Sequence, residues 1–248
     1  MPGRLLRLVV GLVLCGGGIA LMVRANLGLA PWSVLDQGLA ERTGLQIGTL
    51  SIITGAIVLT MWVPLRQRPG IGTVANIVLI GLTIDVVLAV VDSPPGSTAG
   101  RAAFMLLGVA MWGPGSGFYI GAGLGPGPRD GLMTGLHANG VGSIRVVRTA
   151  LEVVVLTAGW LLGGSVGIGT VVFAVTIGPN VQYFLRLLGV APRGITEAAE
   201  AGTVVVEEPA AGAPGDQAQP PGAVARFVAG TRPLSPMAEP GPLPTAET

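Results

Sequence analysis

Half of the 248 residues are hydrophobic and only 11% are charged, against roughly 25% in soluble domains, so there is too little polar material to cover a soluble fold and the chain is expected in a bilayer. All 14 basic residues are Arg, and with no Lys, one His (His137) and one Cys (Cys15) the sequence excludes a P-loop, a Schiff-base lysine, a Ser–Lys hydrolase, a zinc finger and an HExxH metalloprotease. The net charge of +1 offers no field for nucleic acid, and neither a metal nor another cofactor is expected.

Six apolar stretches reach the roughly 20 residues that a helix needs to cross a bilayer. The first, about 5–23, carries Arg7 near its start, where the side chain snorkels. It also carries Cys15-Gly16-Gly17-Gly18, a surface for close helix packing. Its start has the basic and apolar parts of a signal peptide but no clean small-x-small cleavage site. A short segment, 31–42, follows, with Pro31 fit for a first helical turn and Val34, Leu35 and Leu39 at helical spacing. The second span, about 47–65, has no charged side chain.

The third span, about 71–91, contains Asn76 and Asp85. A membrane carboxylate is costly unless paired, hydrated or neutral. Asp85 is read as a coupling-ion or proton candidate, with Arg24 and Arg42 as partners, or as a residue reaching the outer interface. The fourth span, about 102–124, is interrupted by Gly113-Pro114-Gly115-Ser116-Gly117, and the sixth, about 168–186, by Gly178-Pro179-Asn180. Proline removes a helical hydrogen bond, so a kink or local unwinding is expected at both. That makes Ser116 and Asn180 candidates, since broken spans expose polar backbone in transporters; a plain packing kink is the competing reading. Serine chemistry needs an activating base, and His137 lies in a different segment from Ser116, so no hydrolase and no other enzyme is expected.

The second short segment, 128–139, opens Pro128-Arg129-Asp130, the strongest polar signal in the chain. Asp130 suits the positive end of a helix, and Arg129 suits an anionic group or a carboxylate. The fifth span, about 149–166, carries Glu152 four residues after Arg148, the spacing of a helical ion pair. Asp36, on the first short segment, completes the candidates for substrate binding or gating: Arg129, Asp130, Asp36, Asp85, Asn180 and Ser116. Residues 191–248 are rich in Pro, Gly and Ala and are expected to form a disordered cytoplasmic tail.

One offset organises residues 1–190. Gly70-Ile71-Gly72-Thr73 recurs 97 residues later as Gly167-Ile168-Gly169-Thr170, and Leu27-Gly28, Pro31 and Gly38-Leu39 recur as Leu124-Gly125, Pro128 and Gly135-Leu136. The Gly-Ile-Gly-Thr segments follow no strand and have no Lys, so they read as turns and caps at helix starts, not phosphate loops. Structural roles are assigned to Gly28, Pro31, Gly72, Thr73, Gly125, Pro128, Gly169 and Thr170. Each unit, about 5–91 and about 102–188, holds three spans. An odd number inverts the second unit against the first, a plan common among secondary transporters. The expected fold is an all-α integral membrane protein of six transmembrane helices in two inverted three-helix repeats. Each repeat also has a short helix that either lies in the interface or re-enters the bilayer with its N–H groups aimed at a ligand. With the N-terminus inside, Arg4, Arg7, Arg66, Arg68, Arg129, Arg145, Arg148, Arg186 and Arg193 fall at cytoplasmic ends, and only Arg24, Arg42 and Arg101 fall outside.

Leu27-Gly28-Leu29-Ala30-Pro31-Trp32, Gly125-Pro126-Gly127-Pro128-Arg129-Asp130 and both Gly-Ile-Gly-Thr segments, in this order and spacing, resemble the YczE/YitT-like family of bacterial integral membrane proteins, closer to its YczE branch. The resemblance covers roughly residues 5–190. It implies a multi-pass plasma-membrane protein of poorly defined activity, often described as a possible transporter, and supplies no catalytic residue. Trp32-Ser33 in one unit against Arg129-Asp130 in the other makes the halves chemically unequal. The expected function is a small-solute transporter or permease, with the lipid bilayer and a small solute as partners and a homo-oligomer or a membrane partner subunit as further possibilities. The alternative is a non-transporting scaffold, regulator or substrate-binding subunit of a larger membrane complex.

Overall fold

The computed structural model describes residues 1–92 and 97–190; the tail expected at 191–248 lies outside the described residues. Among the described residues there are eight helices and no strand: α1 Pro2–Ala25, α2 Pro31–Thr43, α3 Ile47–Thr60, α4 Ile71–Val90, α5 Thr98–Gly121, α6 Pro128–Ala138, α7 Ile144–Leu161 and α8 Ile168–Leu187. Helices α1, α4, α5 and α8 are long and apolar enough to cross a bilayer. Along α4, Val74, Val78, Leu82, Val86 and Val90 are exposed at a four-residue spacing, an outward stripe suited to lipid.

The other two of the six expected spans, the second and the fifth, are not among these four, and their helices have other bounds. The second stops at Thr60, because Pro64 cannot continue a helix and the chain turns there. At 14 residues α3 is about 21 Å long, and it meets the length and hydropathy of a span only together with α2, from which it is bent by 116°. The fifth begins earlier than expected, at Ile144, because Ser143 caps it and accepts a hydrogen bond from Val146 N–H at 3.4 Å. Arg145 and Arg148 therefore fall within α7, with Glu152 one turn beyond Arg148. Of the kink or local unwinding expected at Pro114 and Pro179, the unwinding does not occur; both lie inside continuous helices. Near Pro114 the Val109 carbonyl takes a bond from Asn180 Nδ2 at 3.0 Å, which ties α8 to α5.

The 97-residue offset also runs through the helix boundaries. Added to the starts of α2, α3 and α4, it gives the starts of α6, α7 and α8, and it carries the start of α1 to within one residue of that of α5. It runs through the contacts too. Arg4 Nε donates to Ala122 O at 2.7 Å, and Arg101 Nε donates to Ala25 O at 2.8 Å. Gly72 N–H donates to Leu124 O and Gly169 N–H to Leu27 O, both at 2.7 Å. Each contact is the other with its two halves exchanged.

These contacts fix the helix directions. The start of α1 meets the end of α5 and the start of α5 meets the end of α1, so the two are antiparallel. Their crossing is tight: a Cβ on Gly11 would lie 2.5 Å from Tyr119 N, and one on Gly108 would lie 2.6 Å from Gly18 O. Helix α4 runs parallel to α1, since Gly16 lies against Ile80 and Thr83 while Arg24, near the far end, reaches Leu88 O. Helix α8 runs parallel to α5 in the same way, with Gly169 against Met105 and Phe184 against Gly117.

Sharp turns join the long helices to the short ones. Gly28 and Gly125 have φ of +111° and +121°, a region that side chains with a Cβ avoid. Gly125→Ala is therefore expected to lower stability by about 1–3 kcal/mol, read as a lower unfolding midpoint in detergent. An unchanged midpoint would refute the strain.

Candidate functional site

Both short helices start from extended backbone, at Ala30 and Gly127, and place proline in their first turn. Proline suits that position because its missing N–H would have no partner there. The residue after each proline is Trp32 on α2 and Arg129 on α6, 97 residues apart, and the two touch. The Arg129 guanidinium carbon lies 4.8 Å from the Trp32 ring centroid, a cation–π distance. Arg129 Nη2 also lies 3.5 Å from Oδ2 of Asp36, one turn further along α2. Asp36 is 1% exposed, with the hydroxyls of Thr54 and Ser51 on α3 beside its carboxylate. A carboxylate so deeply buried needs its cation; the ion pair joins the start of one short helix to the other. Trp62, beyond α3, donates from Nε1 to Pro128 O at 2.9 Å and steadies the α6 start.

Over these helix starts lies a cavity of about 600 Å³, within the range of small-molecule sites. Pro31, Trp32, Pro128, Arg129 and Asp130 form its base, and Ser116, Asn76 and Glu152 add polar groups. Ile19 of α1, Ile77 and Ile80 of α4, Trp112 of α5 and Phe173 of α8 form apolar walls. Trp112 meets Phe173 edge to face at 5.4 Å. The wall between α7 and α8 is incomplete: the two helices do not pack along each other, and exposed Ala174 and Val175 line the gap. Such a site can hold a small molecule by a polar end at Arg129 and Asp130 and an apolar body against the isoleucines.

Of the expected candidates, the cavity gathers Arg129, Asp130 and Ser116. Asp36 stands behind Arg129. Asp85 sits elsewhere, accepting hydrogen bonds from Gly48 N–H and the Thr49 hydroxyl of α3, partners that a search for opposite charges does not find. Asn180 does not line the cavity; its amide ties α8 to α5 through Val109 O, because its position on α8 faces α5 at Gly113. Arg148 pairs with Glu152 at 2.9 Å. Ser116 is buried in α5, and the His137 ring bonds to Gly142 O in its own turn. The Thr73 hydroxyl accepts from Gly70 N–H and donates to Pro126 O, and Thr170 accepts from Gly167 N–H. Sequence reasoning missed Trp32 as the partner of Arg129. The offset was the available signal, since it sets these two residues at one position of the repeat.

A model of a family of unknown function, DUF6198, matches residues 3–186. An uncharacterized protein of Haemophilus influenzae is 42% identical over 185 residues, which cover 75% of this chain and 84% of that one. The uncharacterized membrane protein YczE of Bacillus subtilis is 34% identical over 177 residues, 71% of this chain and 82% of that protein. The uncharacterized protein YyaS of Bacillus subtilis is 24% identical over 182 residues, 72% and 90% of the two chains. No solved structure matches the chain.

Proposed function

We propose that this chain, which belongs to the membrane-protein family DUF6198, is a small-solute transporter built of two inverted halves around a central cavity. Because α1 and α4 run parallel, the chain between them returns across the bilayer once, with α3 as the return pass. The same argument makes α7 the return pass of the second half. Each half then crosses three times, and antiparallel α1 and α5 are what an axis in the membrane plane produces. The Arg bias puts both ends of residues 1–190 on the cytoplasmic side of a bacterial plasma membrane.

The observation that carries the proposal is the contact of Trp32 with Arg129 inside the cavity. Residues at equivalent positions touch only where they flank the symmetry axis. An axis in the membrane plane runs at mid-depth, so α2 and α6 are re-entrant half-helices whose starts meet there. That is where transporters of inverted halves bind their solutes. A scaffold would leave the glycine faces of its helices exposed for a partner; here Gly11, Gly16, Gly18 and Gly108 are buried, and a cavity lies among the helices.

The test is a solute and ion-flux screen in liposomes holding the full chain. Flux of at least one solute is expected, falling at least tenfold in Arg129→Gln, about what the loss of one charged hydrogen bond removes. Absence of flux for every solute, with a fixed partner co-purifying, would favour a subunit of a larger complex.

A further inference from the structure

The two halves hold the same helix pair in two states. In the first, α3 lies on α4: a Cβ on Gly81 would meet Ile52 Cγ1 at 2.4 Å and the Gly48 carbonyl at 2.5 Å. In the second, α7 stands off α8. A Cβ on Gly178, the counterpart of Gly81, would meet nothing within 4 Å among the described residues. Thr149, Glu152, Ala174 and Gly178 line the space between them.

The difference has a cause in sequence. The first turn of a helix leaves N–H groups without partners. Helix α3 follows Gln46, whose side chain makes no cap. Gly48 N–H and the Thr49 hydroxyl donate instead to Asp85 on α4, at 2.6 and 2.9 Å. Helix α7 follows Ser143, which caps it from its own side chain, and Gln182 stands at the position of Asp85. One return helix is capped by its neighbour and tied to it. The other is capped by itself, so it parts from its neighbour without losing a cap.

We propose that the chain has a second arrangement in which these roles exchange, with α7 seated on α8 and α3 off α4, and that Asp85 is the latch that favours the present one. The proposal rests on the reading of two inverted halves around a solute cavity. A packing open to one half is then open in outline to the other, and the exchange moves the cavity mouth to the opposite face of the membrane. Asp85 touches no solute; it is a positioning residue.

The test uses the full chain in lipid vesicles, with Cys15→Ala so that each introduced pair holds the only thiols. Gly55→Cys with Ile77→Cys reports α3 on α4, since a Cβ on Gly55 lies 3.6 Å from Ile77 Cβ, inside the disulfide range of about 3.5–4.5 Å. The counterparts, Glu152→Cys with Ala174→Cys, report α7 on α8. Both pairs are expected to cross-link on oxidation. Asp85→Gln gives the first half the residue of the second and is expected to raise the rate of the 152–174 pair about tenfold relative to the 55–77 pair. Asp85→Asn keeps an acceptor oxygen at the original reach, where Gln is one methylene longer, so it is expected to shift the ratio less and carries the comparison if Asp85→Gln does not fold. The proposal is overturned if the 152–174 pair never cross-links while the 55–77 pair does, or if neither Asp85 variant changes the ratio. Cross-linking needs no solute: exchange without flux leaves the proposal standing and removes transport, whereas flux without exchange does the reverse.

Discussion

Arg129→Ala is expected to lower the stability of the folded chain by about 3–5 kcal/mol, the cost of leaving a buried charge unpaired. Asp36 is 1% exposed and its Oδ2 faces Arg129 at 3.5 Å, so the truncation strands a carboxylate beneath the cavity. It also takes the guanidinium off the Trp32 ring. The comparison that isolates the charge is Arg129→Leu with Asp36→Leu, which removes both ions and leaves apolar side chains. The double variant is expected to regain most of the loss, since buried pairs replaced whole by apolar groups are often neutral in stability. Four tryptophans, two of them in the cavity wall, make fluorescence during denaturant titration in detergent the natural readout. A loss below about 1 kcal/mol, the scale of an exposed pair, would mean that water in the cavity hydrates Asp36, and the ion pair would then not hold the helix starts together. The double variant has a second use. It is expected to fold without transporting, which separates the site from the scaffold.

Sequence reached the four long helices because each is a mainly apolar run of span length, and the Pro114 and Pro179 segments do not end α5 or α8. It misjudged α3 because hydropathy continues through Trp62 and Val63 after the helix has ended; the stop lies in Pro64 and in the bond from Trp62 to Pro128 O, a contact across 66 residues. It misjudged the start of α7 because Arg145 and Arg148 look like loop, yet they stand in the first turns of the helix, where Arg148 pairs with Glu152 and both arginines line the cavity. Within the site, Arg129 and Asp130 were legible as a charged start to a short helix. Their meeting with Trp32 and Asp36 was not, because it depends on how the two halves are arranged. Asp85 was legible as an anomaly. Its partners were not, because a backbone N–H and a threonine hydroxyl leave no charge pattern to search for.

The pair Gly81→Leu and Gly178→Leu separates a packed contact from an open one. The two glycines hold the same place in the repeat, and substitution adds the same atoms. At Gly81 the new side chain meets the α3 backbone at Gly48 O and the Ile52 side chain; backbone cannot turn aside, so α3 must move off α4 and give up its bonds to Asp85. Overpacking of about 1–3 kcal/mol and the lost charged hydrogen bonds, about 1.5–3 kcal/mol each, are both charged to this variant. A loss of at least about 3 kcal/mol is expected in denaturant titration. At Gly178 nothing stands within 4 Å among the described residues, and leucine forms helix better than glycine by roughly 0.8 kcal/mol, so stability is expected to hold or rise slightly. Flux is expected to fall in Gly178→Leu although stability holds, since leucine at Gly178 fills the space that α7 needs in order to seat on α8. A stable Gly178→Leu chain that transports normally would show that the gap between α7 and α8 never closes during turnover. Equal destabilisation by the two variants would mean that α7 rests on α8 in the membrane as α3 rests on α4.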